Sequence, residues 1–225
     1  LGAFIAGAFV SGTRNPIPLI ATKFDVRVDG GLAIVATHRT FRNAEDISIE
    51  ATITFPVPVH AVLFALEATV AGRRLAARAR AKSAARDAYE AAIEHGKTAV
   101  LHEEALRGVH ILSVGHIPPG AEVVVSSSWA MTLTNVDGRG QLRIPLTVGD
   151  IYGRSGLLDS DDLIFGGTAQ TAELTVKCAD GQVRLLGRDL VGGCAHVPAD
   201  APIDLEMVGW SPKDLVGVAA DGREV

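Results

Sequence analysis

Aromatic side chains are scarce in this chain, at 5% of its residues, so its core must be built chiefly from Val, Leu, Ile and Ala. Cysteine is nearly absent. Cys178 and Cys194 are the only two, and a single pair defines no disulfide framework: one bridge closing a hairpin and two free thiols both stay open. A surplus of positive charge is missing as well. With 21 Lys and Arg against 26 Asp and Glu, the net charge of −5 has the wrong sign for nucleic acid, which rewards a basic surface. Arg73-Arg74 and the arginines from Arg78 to Arg86 read as a solvated helix face rather than a phosphate-binding patch. The apolar opening Leu1–Val10 is about half the ~20 residues of a membrane-spanning helix, and no positive region precedes it to make a signal peptide. It reads as a first strand, with the tail of a membrane segment as the alternative. The compartment is not fixed, and a secreted or membrane-associated parent is compatible with all of this. The chain starts at Leu1 rather than Met and reads as part of a longer protein.

What is present is two-residue alternation. A chain of 225 residues, 48% hydrophobic and 21% charged, can form one large all-β domain or two small ones. Phe24, Val26 and Val28 alternate with charged residues up to Asp29-Gly30-Gly31, and a second strand follows to Phe41, so 23–41 reads as a hairpin. Ile47, Ile49, Ala51, Ile53 and Phe55 line one face of a third strand. Pro56 and Pro58 end it, because proline donates nothing to a sheet ladder. Val62–Val70 alternates again, Gly72-Arg73-Arg74 turns, and Leu75 starts another strand.

Near Ala79 the period changes. Ala81, Ala84, Ala85, Ala88, Tyr89, Ala92 and Ile93 fall on one helical face, with Tyr89 and Ile93 as the larger anchors for docking on the sheet. Arg86 and Glu90 stand four apart on the opposite face, and Gly96 supplies the stop. Strands resume at Ala99–Leu101, Val109–Ile117, Val123–Leu133 and Leu142–Val148. Pro118-Pro119-Gly120 makes a tight turn in this series, with a glycine that permits positive φ. Asn43 suits a loop with unusual backbone angles. After Tyr152 a Gly-, Ser- and Asp-rich stretch, 153–167, reads as a long loop. Short strands follow at Leu174–Cys178, Gln182–Leu186 and Ile203–Met207, either extending the same sandwich or starting a second small sheet. The class is mainly β, a sandwich or barrel with one embedded amphipathic α-helix.

A specific order of motifs accumulates along the chain. Phe41-Arg-Asn43 is followed by Glu50 to Pro58, then Ala85-Arg-Asp-Ala-Tyr89 and Gly96-Lys-Thr-Ala-Val-Leu101 with Glu103. Ser113-Val-Gly-His-Ile-Pro-Pro-Gly120, Val123–Val125 and Ile144-Pro145 through Tyr152 complete the order. Each is weak alone, but six in sequence are specific. This stretch, from about Lys23 to Tyr152, resembles the VIT domain shared by vault proteins and inter-alpha-trypsin inhibitor heavy chains. The resemblance implies an antiparallel β-sandwich with a helix, no catalytic activity and no cofactor. It also implies an adjacent von Willebrand factor A domain, whose metal-binding Asp-x-Ser-x-Ser motif is absent here. Val109-His-Ile departs from the family, which commonly carries an aromatic residue there, and a different core packing is expected. The alanine-rich, cysteine-poor composition is closer to a bacterial member than to a secreted vertebrate one. The expected division is an apolar segment 1–22, a VIT-type sandwich 23–152, and a loop with further strands, 153–225, leading toward a following region.

A search for chemistry finds little. His102-Glu103-Glu104 lacks the second histidine of a zinc helix, since position 106 is Leu. His110 and His116 share a strand face but are too far apart to share a metal unless the chain bends. Ser126-Ser-Ser128 has no nucleophile elbow, Gly149–Gly153 has no phosphate-loop lysine, and Asp159, Asp161 and Asp162 lack calcium-loop spacing. The expectation is therefore a non-catalytic module. It would bind a protein partner or an adjacent domain of its own chain through the exposed helix face bearing Arg86 and Glu90, or through loop 153–167. The alternative is a β-sandwich hydrolase or metal-binding domain whose site the motifs do not reveal.

Overall fold

The computed structural model of the chain describes residues 7–11, 15–76, 81–152, 171–199 and 201–210. The strands are β1 (Gly7–Val10), β2 (Leu19–Asp29), β3 (Leu32–Arg42), β4 (Ile49–Pro56), β5 (Val62–Val70) and β6 (Arg73–Ala76). Helix α1 (Lys82–Glu94) precedes β7 (Val100–Leu106), β8 (Val109–Ile117), β9 (Glu122–Thr132), β10 (Thr134–Val136) and β11 (Arg139–Ile144). One turn of helix, α2 (Gly149–Tyr152), follows them, and after residue 170 come β12 (Thr171–Cys178), β13 (Gln182–Leu185), β14 (Arg188–Asp189), β15 (Cys194–Pro198) and β16 (Ile203–Val208).

Alternation builds the central hairpin. In β2, Phe24, Val26 and Val28 are buried while Lys23, Asp25 and Arg27 face out. Gly30 and Gly31 both have positive φ (55° and 88°), the conformation of a two-residue hairpin turn that matches strand twist. Gly31 is needed for space too, since a Cβ there would lie 2.9 Å from the ring of Trp210. Among the described residues the strands form a seven-stranded sheet, β15-β12-β2-β3-β9-β5-β6, a four-stranded sheet, β1-β4-β8-β7, and a five-stranded sheet, β10-β11-β16-β13-β14. All neighbours are antiparallel except β12 and β2, which run parallel with Glu173 opposite Lys23. The two strands are far apart in sequence, and a parallel pair needs a long connection rather than a tight turn.

One continuous core serves all three sheets. Phe24, Val35, Phe41, Val125 and Trp129 fill it from the seven-stranded side, and Ala51, Ile53, Phe55, Leu112 and Val114 from the four-stranded side. Each fully buried Val, Leu, Ile or Phe among them contributes about 1.5–3 kcal/mol. Among the buried polar residues described, Arg39 carries a full charge. It occupies an inward position of β3 at 4% exposure, with its guanidinium 5.8 Å from the Phe24 ring and 5.7 Å from the Phe55 ring. Burial pulls its pKa down to about 10, so it keeps its charge at neutral pH.

Two sequence expectations change. Ile47 is not on the inner face of the third strand. It precedes β4 and is 68% exposed, whereas Ile49, Ala51, Ile53 and Phe55 are buried. The alanine face of the helix is covered only in part: Ala85, Tyr89, Ala92 and Ile93 are half-buried, and Ala81, Ala84 and Ala88 are exposed. The helix lies on the sandwich surface, its last two turns set against Gly115 of β8 and its first two tied to β7 through Glu103. The strands after residue 170 join both alternatives, β12 and β15 extending the seven-stranded sheet and β13, β14 and β16 pairing with β10–β11. Cys178 and Cys194 are free thiols. Among the described residues no helix is long and apolar enough to cross a membrane.

Candidate functional site

Three local assemblies position the residues singled out by the sequence. The first is built on Asn43, which is 1% exposed. Its Nδ2 donates to the carbonyls of Ile47 (2.9 Å), Ile117 (3.0 Å) and Pro118 (3.0 Å), and its Oδ1 accepts from the Glu45 amide (2.9 Å). Its backbone is bound too: its amide donates to Ala121 O, and its carbonyl accepts from Gly120 N. The Pro118-Pro119-Gly120 turn, closed by Ala121 N to Pro118 O with Gly120 at φ 68°, is thereby tied to the loop leading into β4. Asn43 is not among the residues with positive φ. Its contribution is a buried amide that satisfies loop carbonyls, not tolerance of a strained backbone.

The second assembly docks α1. β8 carries a bulge at Gly115-His116, where the register against β4 slips between Ile49 and Ala51. His116 takes φ 53°, an uncommon conformation in which histidine is enriched. Its Nε2 donates to Ile93 O at 2.9 Å, in the last turn of α1. Gly115 gives the helix room, because a Cβ there would lie 1.9 Å from Ile93 Cδ1 and 3.2 Å from Tyr89 Oη. Tyr89 is thus set against the sheet, and burial together with the nearby Glu50 pushes its phenol up to about 12. Gly96, at φ 67°, follows the helix and donates to Ile93 O.

Arg86, an exposed residue of α1, does not pair with Glu90. It grips Glu103 of β7 with two bonds, Nε to Oε1 (3.0 Å) and Nη2 to Oε2 (3.1 Å), while Lys82 approaches the same carboxylate at 3.5 Å. Glu90 stands on the exposed face. Between α1, β5 and β7 runs an open groove of about 860 Å³ with Leu63, Leu66, Tyr89, Val100, Leu101 and Leu112 in its lining. Phe64, beside it on β5, is 57% exposed. Loop 153–167 lies outside the described residues.

The third assembly lies under the loop after β4. Pro56 ends β4 and is buried, Pro58 is half-buried, and Val57 N donates to Gly108 O at 2.8 Å. The β7–β8 hairpin thereby closes against this loop, around a cavity of about 600 Å³ lined in part by Val57, Pro58, His102, Glu104 and His110. His102 Nε2 and His110 Nδ1 are 3.0 Å apart, and His110 stacks on Phe55 with ring centres 5.5 Å apart. Burial, and then the charge of His102, pull the His110 pKa down to about 4, and burial lowers that of His102. Both rings are neutral at pH 7.

The sequence reading missed this pair, as it missed Gly115, His116 and Arg39. The available signal was the Arg107-Gly108 turn, which folds 102 and 110 to within one diagonal of each other. Among the described residues no three His, Cys, Asp or Glu side chains gather into a metal-ligand set.

A family model described as the vault protein inter-alpha-trypsin domain matches residues 19–128. The chain is similar to the von Willebrand factor A domain-containing protein 5A of Homo sapiens, 30% identical over 146 residues that cover 64% of this chain and 19% of that protein. It is also similar to the protein mono-ADP-ribosyltransferase PARP4 of Mus musculus, 28% identical over 130 residues, 58% of this chain and 7% of that protein. The chain thus spans a fifth or less of these curated relatives. Among solved structures, native yeast LTA4 hydrolase matches with a TM-score of 0.40 and 9% identity, over 85% of this chain and 28% of that one.

Proposed function

We propose, from the premise that this chain belongs to the vault protein inter-alpha-trypsin domain family through residues 19–128, that it is a non-catalytic scaffold within a larger protein and holds an adjacent von Willebrand factor A domain or an external protein partner. The observation that carries this reading is the occurrence of similar sequence in two proteins of different description, one containing von Willebrand factor A domains and one a mono-ADP-ribosyltransferase. A segment common to both is not what distinguishes their activities. The side-chain chemistry agrees. The prominent polar groups near α1 and β7 are engaged with one another, and Asn43 and His116 bond backbone carbonyls. The working unit in this reading is the sandwich 23–152 with the later strands packed on it.

The surface proposed for docking is the outer side of α1, bearing Arg86 and Glu90, beside the β5–β7 groove. The intact chain, immobilised and exposed to lysate of its source organism with calcium or with chelator, should retain one saturable partner. The double charge reversal Arg86→Glu with Glu90→Lys should then release it. Retention unaltered by that reversal would remove α1 from the binding surface, and turnover of a substrate by the purified chain would remove the scaffold reading.

A further inference from the structure

We propose that His102 and His110 form a proton-operated latch on the β7 edge, shut while at least one ring is neutral and released when both are protonated. This goes beyond the scaffold role and holds whether or not a partner docks nearby. Among the described residues β7 has one strand neighbour, β8. The register sets Glu104 opposite His110, so His102, two residues away on β7, reaches His110 across the diagonal. The bonding nitrogens are 3.0 Å apart and the ring centres 5.2 Å. That difference of 2.2 Å (5.2 − 3.0) is about two ring radii, and the planes are inclined by only 28°. The rings therefore meet edge to edge, each aiming a nitrogen at the other. This is the geometry of a direct N–H···N bond, whereas lone pairs that shared a metal ion would converge on a third point. Phe55 stacks on His110.

Such a bond needs one donor and one acceptor. Two neutral imidazoles supply them, and so does one imidazolium facing one imidazole. Two imidazolium rings place N–H against N–H with like charges at contact distance, and the bond is lost. The charged groups around the pair are few, and Glu67 of β5, in the groove that His102 also lines, is paired with Arg74. Glu104 on β7 accepts from Gly108 N at 2.9 Å, and Glu103 is taken up by Lys82 and Arg86 of α1. Arg107 in the turn donates from Nε to Val59 O at 3.0 Å. Phe55 of β4 and the lining residues of the loop from Val57 to Leu63 are uncharged. Burial opposes protonation of both rings and the charge of His102 opposes that of His110, while Glu104 and Glu103 favour that of His102 and Glu104 favours that of His110. The less buried His102 takes the first proton with the bond intact. The second proton, on His110 near pH 4, opens the latch at the hairpin end of β7.

The test is amide hydrogen exchange on the whole chain between pH 6.5 and 4, with protection corrected for intrinsic rates and β7 compared with central strand β9. His110→Phe keeps a ring against Phe55 without a titratable nitrogen, and His102→Gln is the second variant. In the wild type, β7 should lose roughly tenfold more protection than β9 across this range. In either variant β7 and β9 should change in step. The latch is overturned if wild-type β7 and β9 lose protection together, or if β7 in a folded variant stays as acid-labile as in the wild type. If one variant does not fold, the other decides.

Discussion

Asn43→Ala is the sharpest test of how this fold is held together. The side chain makes four contacts: three from Nδ2 to the carbonyls of Ile47, Ile117 and Pro118, and one from Glu45 N to Oδ1. An amide carries only two protons, so the three acceptors share them, and the side chain counts as about three bonds. At about 1 kcal/mol net for each, truncation costs about 3 kcal/mol. Two partners keep a second bond, Ile117 O from Ser48 Oγ at 3.3 Å and Pro118 O from Ala121 N at 3.1 Å, which limits the penalty for orphaned groups. The backbone bonds of residue 43 to 120 and 121 do not involve the side chain, so the variant should fold. Urea titration followed by tryptophan fluorescence reports on Trp129, which is 2% exposed. The midpoint should fall while the slope stays unchanged. Asn43→Asp should cost at least as much at neutral pH, because a carboxylate would face three carbonyl oxygens. A loss below about 1 kcal/mol in both variants would refute the reasoning and show that water replaces the amide.

Gly115→Val should lift α1 from β8, since even a Cβ would collide with Ile93. Spectrophotometric titration would then find the Tyr89 phenol back near the ordinary ~10 instead of about 12, with β-sheet circular dichroism retained. Arg39→Met should leave stability within about 1 kcal/mol of the wild type, because losing two ring contacts is offset by no longer burying a charge; a loss above about 3 kcal/mol, measured by urea titration, would mean that the guanidinium has a stabilising partner. A maleimide at neutral pH should label exposed Cys194 well before half-buried Cys178, whose thiol is pushed up by burial and donates to Asp180 O at 2.8 Å. Peptide mass mapping over time would show the order.

The β character was legible because alternation in β2, β3, β4 and β9 is a one-dimensional signal of a half-buried strand. Ile47 shows the limit of that signal: it keeps the phase of its strand but lies before the first ladder bond, so the pattern runs past the structure. The helix was legible from its period, but its burial was not. A stripe of alanines says that a helix can approach closely, and the depth of approach is set by Gly115 on another strand. Tyr89 and Gly96 could be placed on the helix from spacing, while the partners that hold them, His116 and Gly115, required knowledge of the bulge. Asn43 illustrates the same gap. Its loop position was readable, yet the carbonyls it satisfies lie mostly more than seventy residues away. The His102–His110 pair depended on the hairpin register, which the turn suggests but does not specify.

The parallel pairing of β2 with β12 gives the chain a timetable. Lys23 and Glu173 are partners 150 residues apart (173 − 23), so β2 leaves the ribosome roughly 8–30 s before its neighbour exists, at about 5–20 residues per second. During that interval the β2–β3 hairpin can pair with β9 on one side while the other edge of β2 waits open. An open edge invites wrong partners. The charges that alternate along it at Lys23, Asp25 and Arg27 are the feature that keeps a nascent strand soluble until the late segment arrives to close the sheet.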